Sequence, residues 1–177
     1  DKVHSSPHLE RWRACLVDPS VPTTWAEQIA NCAGGFAAGD FAALGWLFDL
    51  TAPRLLRYAQ AITRSREDAE DAVQAAVVRI ARNPQSLAAV RLPWAYLLKT
   101  TRNEALRIIA RKKPVSLAVE EPTVLEPIGL ERVERDAEVQ TALGKLPAEQ
   151  AEVVILKIWE GLTFQDIATV TGESLNT

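Results

Sequence analysis

The chain has 177 residues, 47% of them hydrophobic and 24% charged, and its 20 Lys and Arg against 23 Asp and Glu leave a formal charge of -3. That composition can bury a core, which excludes wholesale disorder, and the length allows one large domain or two small ones. No apolar run approaches the roughly 20 residues needed to span a bilayer, and no signal-like start precedes a cleavage site, so a soluble cytoplasmic protein is expected. Cys15 and Cys32 are too few for a disulfide scaffold and fit no zinc spacing; a site built from His4, His8, Cys15 and Cys32 lacks a regular ligand pattern. The sequence holds no methionine, which suggests a processed or incomplete piece of a longer chain.

Helical spacing recurs along almost the whole chain and strand-like alternation is scarce, so the expected fold is all-α. Residues 1–23 read as an extension with a short helix near Leu9 to Leu16, followed by a loop through Asp18, Pro19 and Pro22. Thr24 and Glu27 form a capping box opening a helix that Gly34 and Gly35 are expected to end. Asp40 caps a helix to about Leu50, and Pro53 suits the first turn of another reaching about Thr63. Ser65 caps a helix from about Glu67 to Arg82, which Asn83 and Pro84 stop. A loop spans Gln85 to Arg91, and Pro93 starts a long helix to Lys113.

Pro114, Pro122, Pro127 and Gly129 punctuate an acidic linker, residues 114–130, in which no core forms. Helical spacing resumes near Leu130. Pro147 begins a helix to about Trp159, Glu160 to Leu162 make a turn, Thr163 with Asp166 caps a helix to Val170, Gly172 turns the chain, and Ser174 can cap another helix. Helix, short glycine-containing turn and helix resemble a helix-turn-helix without its recognition helix; a plain helical hairpin shares the first two helices.

The charge is segregated. From Arg91 to Lys113 seven bases face one acid, Glu104, whereas from Pro114 to Glu138 seven acids face two bases. Such blocks suit a basic nucleic-acid face beside an acidic tether, and equally a pair of solvated surface runs. Steps of 100° along the long helix place Trp94, Leu97, Leu98, Ala105, Ile108 and Ile109 on one side. Tyr96, Lys99, Arg102, Asn103, Arg107, Arg111 and Lys113 fall on the other. Cations for phosphates, an amide for a base edge and a ring for stacking are what DNA needs, although an ordinary amphipathic surface helix has the same outline. In the Glu67 to Arg82 helix, Ala69, Ala72, Val73, Ala76, Val77 and Ile80 form the core stripe. Asp68, Asp71 and Gln74 surround an outward Val78 on the opposite face, a pattern that fits either a docking surface or one commonplace exposed valine.

Four segments, A-G-D-F-A-A-L at 38–44, P-R-L-L-R-Y-A at 53–59, E-D-A-E-D-A-V-Q at 67–74 and P-W-A-Y-L-L-K-T-T-R-N-E-A-L at 93–106, resemble region two of the extracytoplasmic-function (group IV) sigma factors of bacterial RNA polymerase. Residues 142–168, A-L-G-K-L-P-A-E-Q-A-E-V-V-I-L-K-I-W-E-G-L-T-F-Q-D-I-A, resemble the start of region four. The resemblance implies a region-two bundle at 24–113, the linker at 114–130 and a partial region four at 131–177, with only Ser174 to Thr177 of the helix that reads the minus-thirty-five element. It implies docking on the clamp helices of core RNA polymerase through Asp68, Asp71, Gln74 and Val78. It implies that Tyr96, Lys99, Arg102, Asn103, Arg107 and Arg111 engage the promoter's minus-ten element as single-stranded DNA. A loop containing Asn83, Pro84, Gln85, Ser86 and Leu87 would hold a flipped base, with polymerase binding helping to offset an unpairing cost of a few kcal/mol. The linker reads either as an RNA mimic threading through the polymerase or as a flexible tether, and an anti-sigma factor is an implied partner. No P-loop, nucleophile elbow, HExxH or Ser-His-Asp arrangement points to an enzyme, and no cofactor is expected. A stand-alone helix-turn-helix repressor of duplex DNA and a sigma-like interaction module are the alternatives.

Overall fold

The computed structural model describes residues 24–112, 143 and 145–173, and their regular elements are all helical, with no strand among the described residues. The all-α expectation holds. The expected helix near Leu9 to Leu16, three of the four metal-site candidates (His4, His8 and Cys15), the acidic linker and the start at Ser174 lie outside the described residues. Cys32 is a buried free thiol inside the core, and burial pushes its pKa up.

Helix α1 runs Trp25–Ala37 and opens on the expected capping box: the Glu27 amide donates to Thr24 Oγ1 at 3.3 Å and the Thr24 amide donates to Glu27 Oε2 at 2.7 Å. Gly34 and Gly35 do not end it, a correction to the sequence reading. Gly35 is buried in the helix, and the chain turns three residues later, where the Ala38 amide donates back to Gly34 and Gly35 carbonyls and Gly39 takes φ +95°. Glycine weakens a helix interior but stops it only where a left-handed residue is needed.

Helix α2, Phe41–Thr63, is one continuous helix rather than the two expected on either side of Pro53. Asp40 caps it as expected, its Oδ1 accepting from the Ala42 amide at 3.0 Å. A proline inside a helix removes one bond, here to the Asp49 carbonyl. Asp49 and Pro53 are both exposed, so water can serve that carbonyl, while Leu47, Thr51, Leu55 and Tyr58 make an unbroken buried face. The Thr51 hydroxyl donates to the Leu47 carbonyl at 2.6 Å beside the break. The continuous apolar face outweighs the local stop signal.

Helix α3, Arg66–Arg82, starts on Ser65, whose Oγ accepts from the Asp68 amide. Its buried stripe of Ala69, Ala72, Val73, Ala76 and Ile80 is as expected, with Val77 half-buried; the small alanines let α3 lie close against α2. The expected loop after it is instead a short helix, α4, Pro84–Ala88. Pro84 occupies the first helical position and Leu87 is fully buried, so the core pulls this segment into a turn of helix. Helix α5, Pro93–Lys112, packs Trp94, Leu97, Leu98 and Ala105 against α2 and α3, leaving Ile108 and Ile109 half-buried.

The C-terminal helices are short. Helix α6, Ala148–Val154, widens into a π-helical turn over Ile155–Trp159, and α7, Phe164–Thr171, follows. Thr163 caps α7 as expected, accepting from the Asp166 amide at 3.2 Å, and Gly172 closes it at φ +79°. Leu156, Ile167 and Val170 are buried between these elements and the bundle, α6 lying against α2 and α7 against α5.

Candidate nucleic-acid interface

Four of the residues expected on the working face of α5 form one row. Lys99, Asn103, Arg107 and Arg111 sit at successive i, i+4 positions and all are exposed, with Tyr96 half-buried at the row's start. At about 1.5 Å per residue the row spans about 18 Å. Arg107 is not wholly at liberty. The buried Glu104 carboxylate, on the same helix, accepts from Arg107 Nη1 at 2.6 Å and from Arg79 Nη1 of α3 at 3.2 Å. Glu104 is the one acid of the basic block, and it serves as an internal anchor that brings Arg79, absent from the sequence reading, beside Arg107. Among the described residues, Lys99 and Asn103 have no side-chain hydrogen bond or ion pair.

Arg102 departs from that row. Its side chain is only 16% exposed and its Nε donates to Glu152 Oε1 of α6 at 2.7 Å. The same oxygen accepts from the phenol of Tyr58, fully buried on α2, at 2.5 Å. Burial opposes the charge on Arg102, yet the hydrogen bond and charge of Glu152 outweigh it and raise the guanidinium pKa. Burial, followed by the charge and hydrogen bond of Glu152, pushes the Tyr58 phenol well above its ordinary value, so it remains a donor.

A second contact lies close by. Arg54 of α2 stacks over the Trp25 ring at 3.9 Å from the centroid, with Trp94 edge-on to Trp25 at 4.8 Å. Its Nε donates to Glu160 Oε2 at 2.9 Å and its Nη2 to the Trp159 carbonyl at 2.9 Å. The Glu160 side chain is 1% exposed; burial pushes its carboxyl pKa up, while the charges of Arg54 and Arg57 pull against that shift. Further out, the exposed Arg91 reaches Asp166 of α7 at 2.8 Å. Every described ion pair between the bundle and the C-terminal helices therefore sets a bundle arginine against a C-terminal carboxylate. The pairing of these acids with bundle arginines is not legible in the sequence. Their one signal was the opposite net charge of the two parts, which gives the sign of the contact but not its pairing.

On α3, Asp71, Gln74 and Val78 are exposed as expected, with Val78 44% accessible. Asp68 is not: it is buried and ion-paired to Lys112 of α5, which corrects its assignment to the outward face. Periodicity placed it on the rim, and the end of α5 covers that rim. The expected base-holding loop is also corrected. Leu87 belongs to the core and Gln85 Nε2 donates to the Ala37 carbonyl at 2.9 Å, leaving Asn83 exposed and Pro84 and Ser86 half-buried.

A helical bundle with an exposed basic row, followed in the same chain by a capped helix-turn-helix opening, defines the class of the sigma-70 proteins. The family descriptions agree: Sigma-70 region 2 matches residues 47–115 and Sigma-70, region 4 matches residues 136–177. The chain is 28% identical over 127 residues to RNA polymerase sigma factor SigV of Bacillus subtilis, covering 68% of this chain and 73% of that protein. It is 29% identical over 143 residues to ECF RNA polymerase sigma factor SigM of Mycobacterium tuberculosis, covering 81% of this chain and 73% of that one. The chain belongs to the extracytoplasmic-function branch of this family and is an RNA polymerase sigma factor, a DNA-binding protein of transcription initiation. Among the described residues no helix is long and apolar enough to cross a membrane.

Proposed function

We propose that this sigma factor directs core RNA polymerase to promoters and opens the minus-ten element, with the exposed row of α5 gripping the displaced strand. The row itself carries the reading: Lys99, Arg107 and Arg111 offer cations for phosphates along one exposed face, Asn103 lies between Lys99 and Arg107 for a base edge, and Tyr96 offers a ring for stacking. No bond is made or broken; the contacts offset the cost of unpairing. Arg102 joins the row only when Glu152 leaves it.

The α3 face of Asp71, Gln74 and Val78 is the docking surface for the polymerase clamp helices, an acidic rim around an accessible apolar side chain. Base capture next to α4 would fall to Asn83 and Ser86, since Leu87 and Gln85 are engaged within the bundle. An anti-sigma factor is the natural regulator of such a protein.

Addition of the full chain to core polymerase should give run-off transcripts from a cognate promoter, and Val78→Asp should remove both core binding and transcripts. Failure of the full chain to bind core polymerase at all would overturn the reading. A shift of duplex DNA by the chain alone, with polymerase making no difference, would favour a stand-alone repressor.

A further inference from the structure

We infer that Arg79 of α3 belongs to the nucleic-acid face, where it and Arg107 form one binding site for a backbone phosphate of the displaced strand, set side by side by the buried carboxylate of Glu104. The inference rests on the reading of α5 as the DNA-binding helix, and adds to it a contact from a second helix and a positioning residue beneath.

The charges at this point do not balance. One oxygen of Glu104, Oε1, accepts from Arg79 Nη1 at 3.2 Å and from Arg107 Nη1 at 2.6 Å. The carboxylate is buried, whereas the side chains of Arg79 and Arg107 are 49% and 52% exposed. A single arginine neutralises Glu104, so the second leaves one positive charge facing solvent. Neither helix supplies another acid one turn away to cancel it: Arg79 has Ala75, Ala76, Arg82 and Asn83 as neighbours, and Arg107 has Asn103, Ala110 and Arg111 besides Glu104. A phosphodiester carries the single negative charge that restores neutrality. Each guanidinium has five N–H donors and directs one to Glu104. Among the described residues neither arginine side chain has a further hydrogen bond, so the other donors are open to phosphate oxygens in the forked geometry that suits them.

The way α3 meets α5 puts the pair on the path of the strand. Asp68 is tied to Lys112 and Arg79 to Glu104, so the two helices run antiparallel. Helices of equal rise advance together in opposite directions, which sets Asn83, one turn beyond Arg79, level with Lys99 and Thr100. Arg79 thus flanks the α5 row on its α3 side, one turn short of the position offered for base capture. A strand that lies along the row and gives up a base at Asn83 passes its backbone over Arg79 and Arg107. Glu104 supplies order as well as charge. Two guanidinium groups side by side repel, and a long side chain loses rotamer freedom when it binds. The carboxylate offsets the repulsion and has already fixed one nitrogen of each arginine, so the phosphate meets a preorganised pair.

The test uses the full chain saturating core polymerase and a fluorescent single-stranded 20-mer that carries the minus-ten element of a cognate promoter. Arg79→Ala should weaken binding about five- to tenfold and lower the slope of log affinity against log salt by about 0.7, the value for one phosphate of a single strand. Lys145→Ala removes the same charge at an exposed position of the C-terminal part and should change affinity less than about twofold; equal losses from the two would overturn the site. Glu104→Gln separates positioning from simple charge. Removal of an acid beside the strand tightens binding if its charge alone matters, whereas loss of the positioning group should weaken binding about threefold or more, and tightening would overturn that role. Probes made neutral at one phosphate at a time, by methylphosphonate substitution, give a readout that does not depend on how the Glu104 variant folds. One position should cost the unaltered chain about as much as Arg79→Ala does, and at that position Arg79→Ala should cost nothing further. A loss from Arg79→Ala that is the same at every position would contradict the site. Lys99→Ala with Asn103→Ala tells the two readings apart. A loss there with none from Arg79→Ala refutes this site and leaves α5 standing, while no loss there refutes the reading of α5 and this site with it.

Discussion

The bundle of residues 24–112 and the C-terminal pair of helices share one apolar core but differ in what else holds them to it. In the bundle, Phe36, Leu55, Leu87 and Leu98 from α1, α2, α4 and α5 lie in that core with almost no exposure, and Tyr58 of α2 joins it to Glu152 of α6. Helices α6 and α7, of seven and eight residues, are too short to stand alone in water and bury Leu156, Ile167 and Val170 partly by leaning on α2 and α5. Part of their attachment is ionic, and ion pairs that replace water gain little overall because desolvation offsets the attraction. An apolar core is built to persist, while a charged seam can exchange one anion for another.

The contrast is broken most severely inside the bundle. Leu98→Ala leaves a cavity at a fully buried position and should cost about 2–5 kcal/mol of global stability, read as a lowered denaturant midpoint for the whole bundle. A change confined to the C-terminal helices would show that the core does not pass through α5. Next in size, Glu152→Ala removes the acceptor shared by Tyr58 and Arg102 and leaves both donors facing an apolar gap. The seam should weaken by about 3–5 kcal/mol, as for a broken buried pair, with much of that loss relieved if α6 lifts away and water reaches Arg102. Hydrogen exchange should then rise in α6 and α7 while α3 stays protected.

Smaller effects sharpen the same contrast. Thr163→Ala removes the cap of α7 and should cost about 1 kcal/mol, seen as faster exchange at the Asp166 amide with the bundle's unfolding unchanged. Arg91→Ala breaks a pair whose arginine is 82% exposed, so its effect should not exceed about 1 kcal/mol and should shrink as salt is added. A larger, salt-independent loss would place Arg91 within the structural seam rather than at its rim.

Much of the bundle was legible in the sequence because its signals are local. Thr24, Asp40, Ser65 and Thr163 announce their helices through side-chain oxygens that reach amides two or three residues away. The misreadings occur where tertiary packing overrides such signals. Pro53 signals a helix start, yet the buried face from Leu47 to Tyr58 carries α2 straight through it. The segment after Asn83 has the spacing of a loop, yet burial of Leu87 coils it. The site divides in the same manner. Lys99, Asn103, Arg107 and Arg111 follow from helical periodicity alone. Arg102 and Asp68 share that periodicity but are claimed by Glu152 and Lys112, partners 50 and 44 residues away that no spacing rule supplies. The formal charge of -3 is the sum of a neutral stretch at 1–23, +5 at 24–113, -5 at 114–138 and -3 at 139–177.

The central claim, that the exposed row of α5 opens promoter DNA, is tested most directly by fluorescence of a 2-aminopurine placed in the minus-ten element, with core polymerase saturated by the full chain. Asn103→Ala together with Arg107→Ala should reduce the opening signal at least tenfold while core binding stays within twofold of the unaltered chain. Undiminished opening by that double variant would contradict the claim.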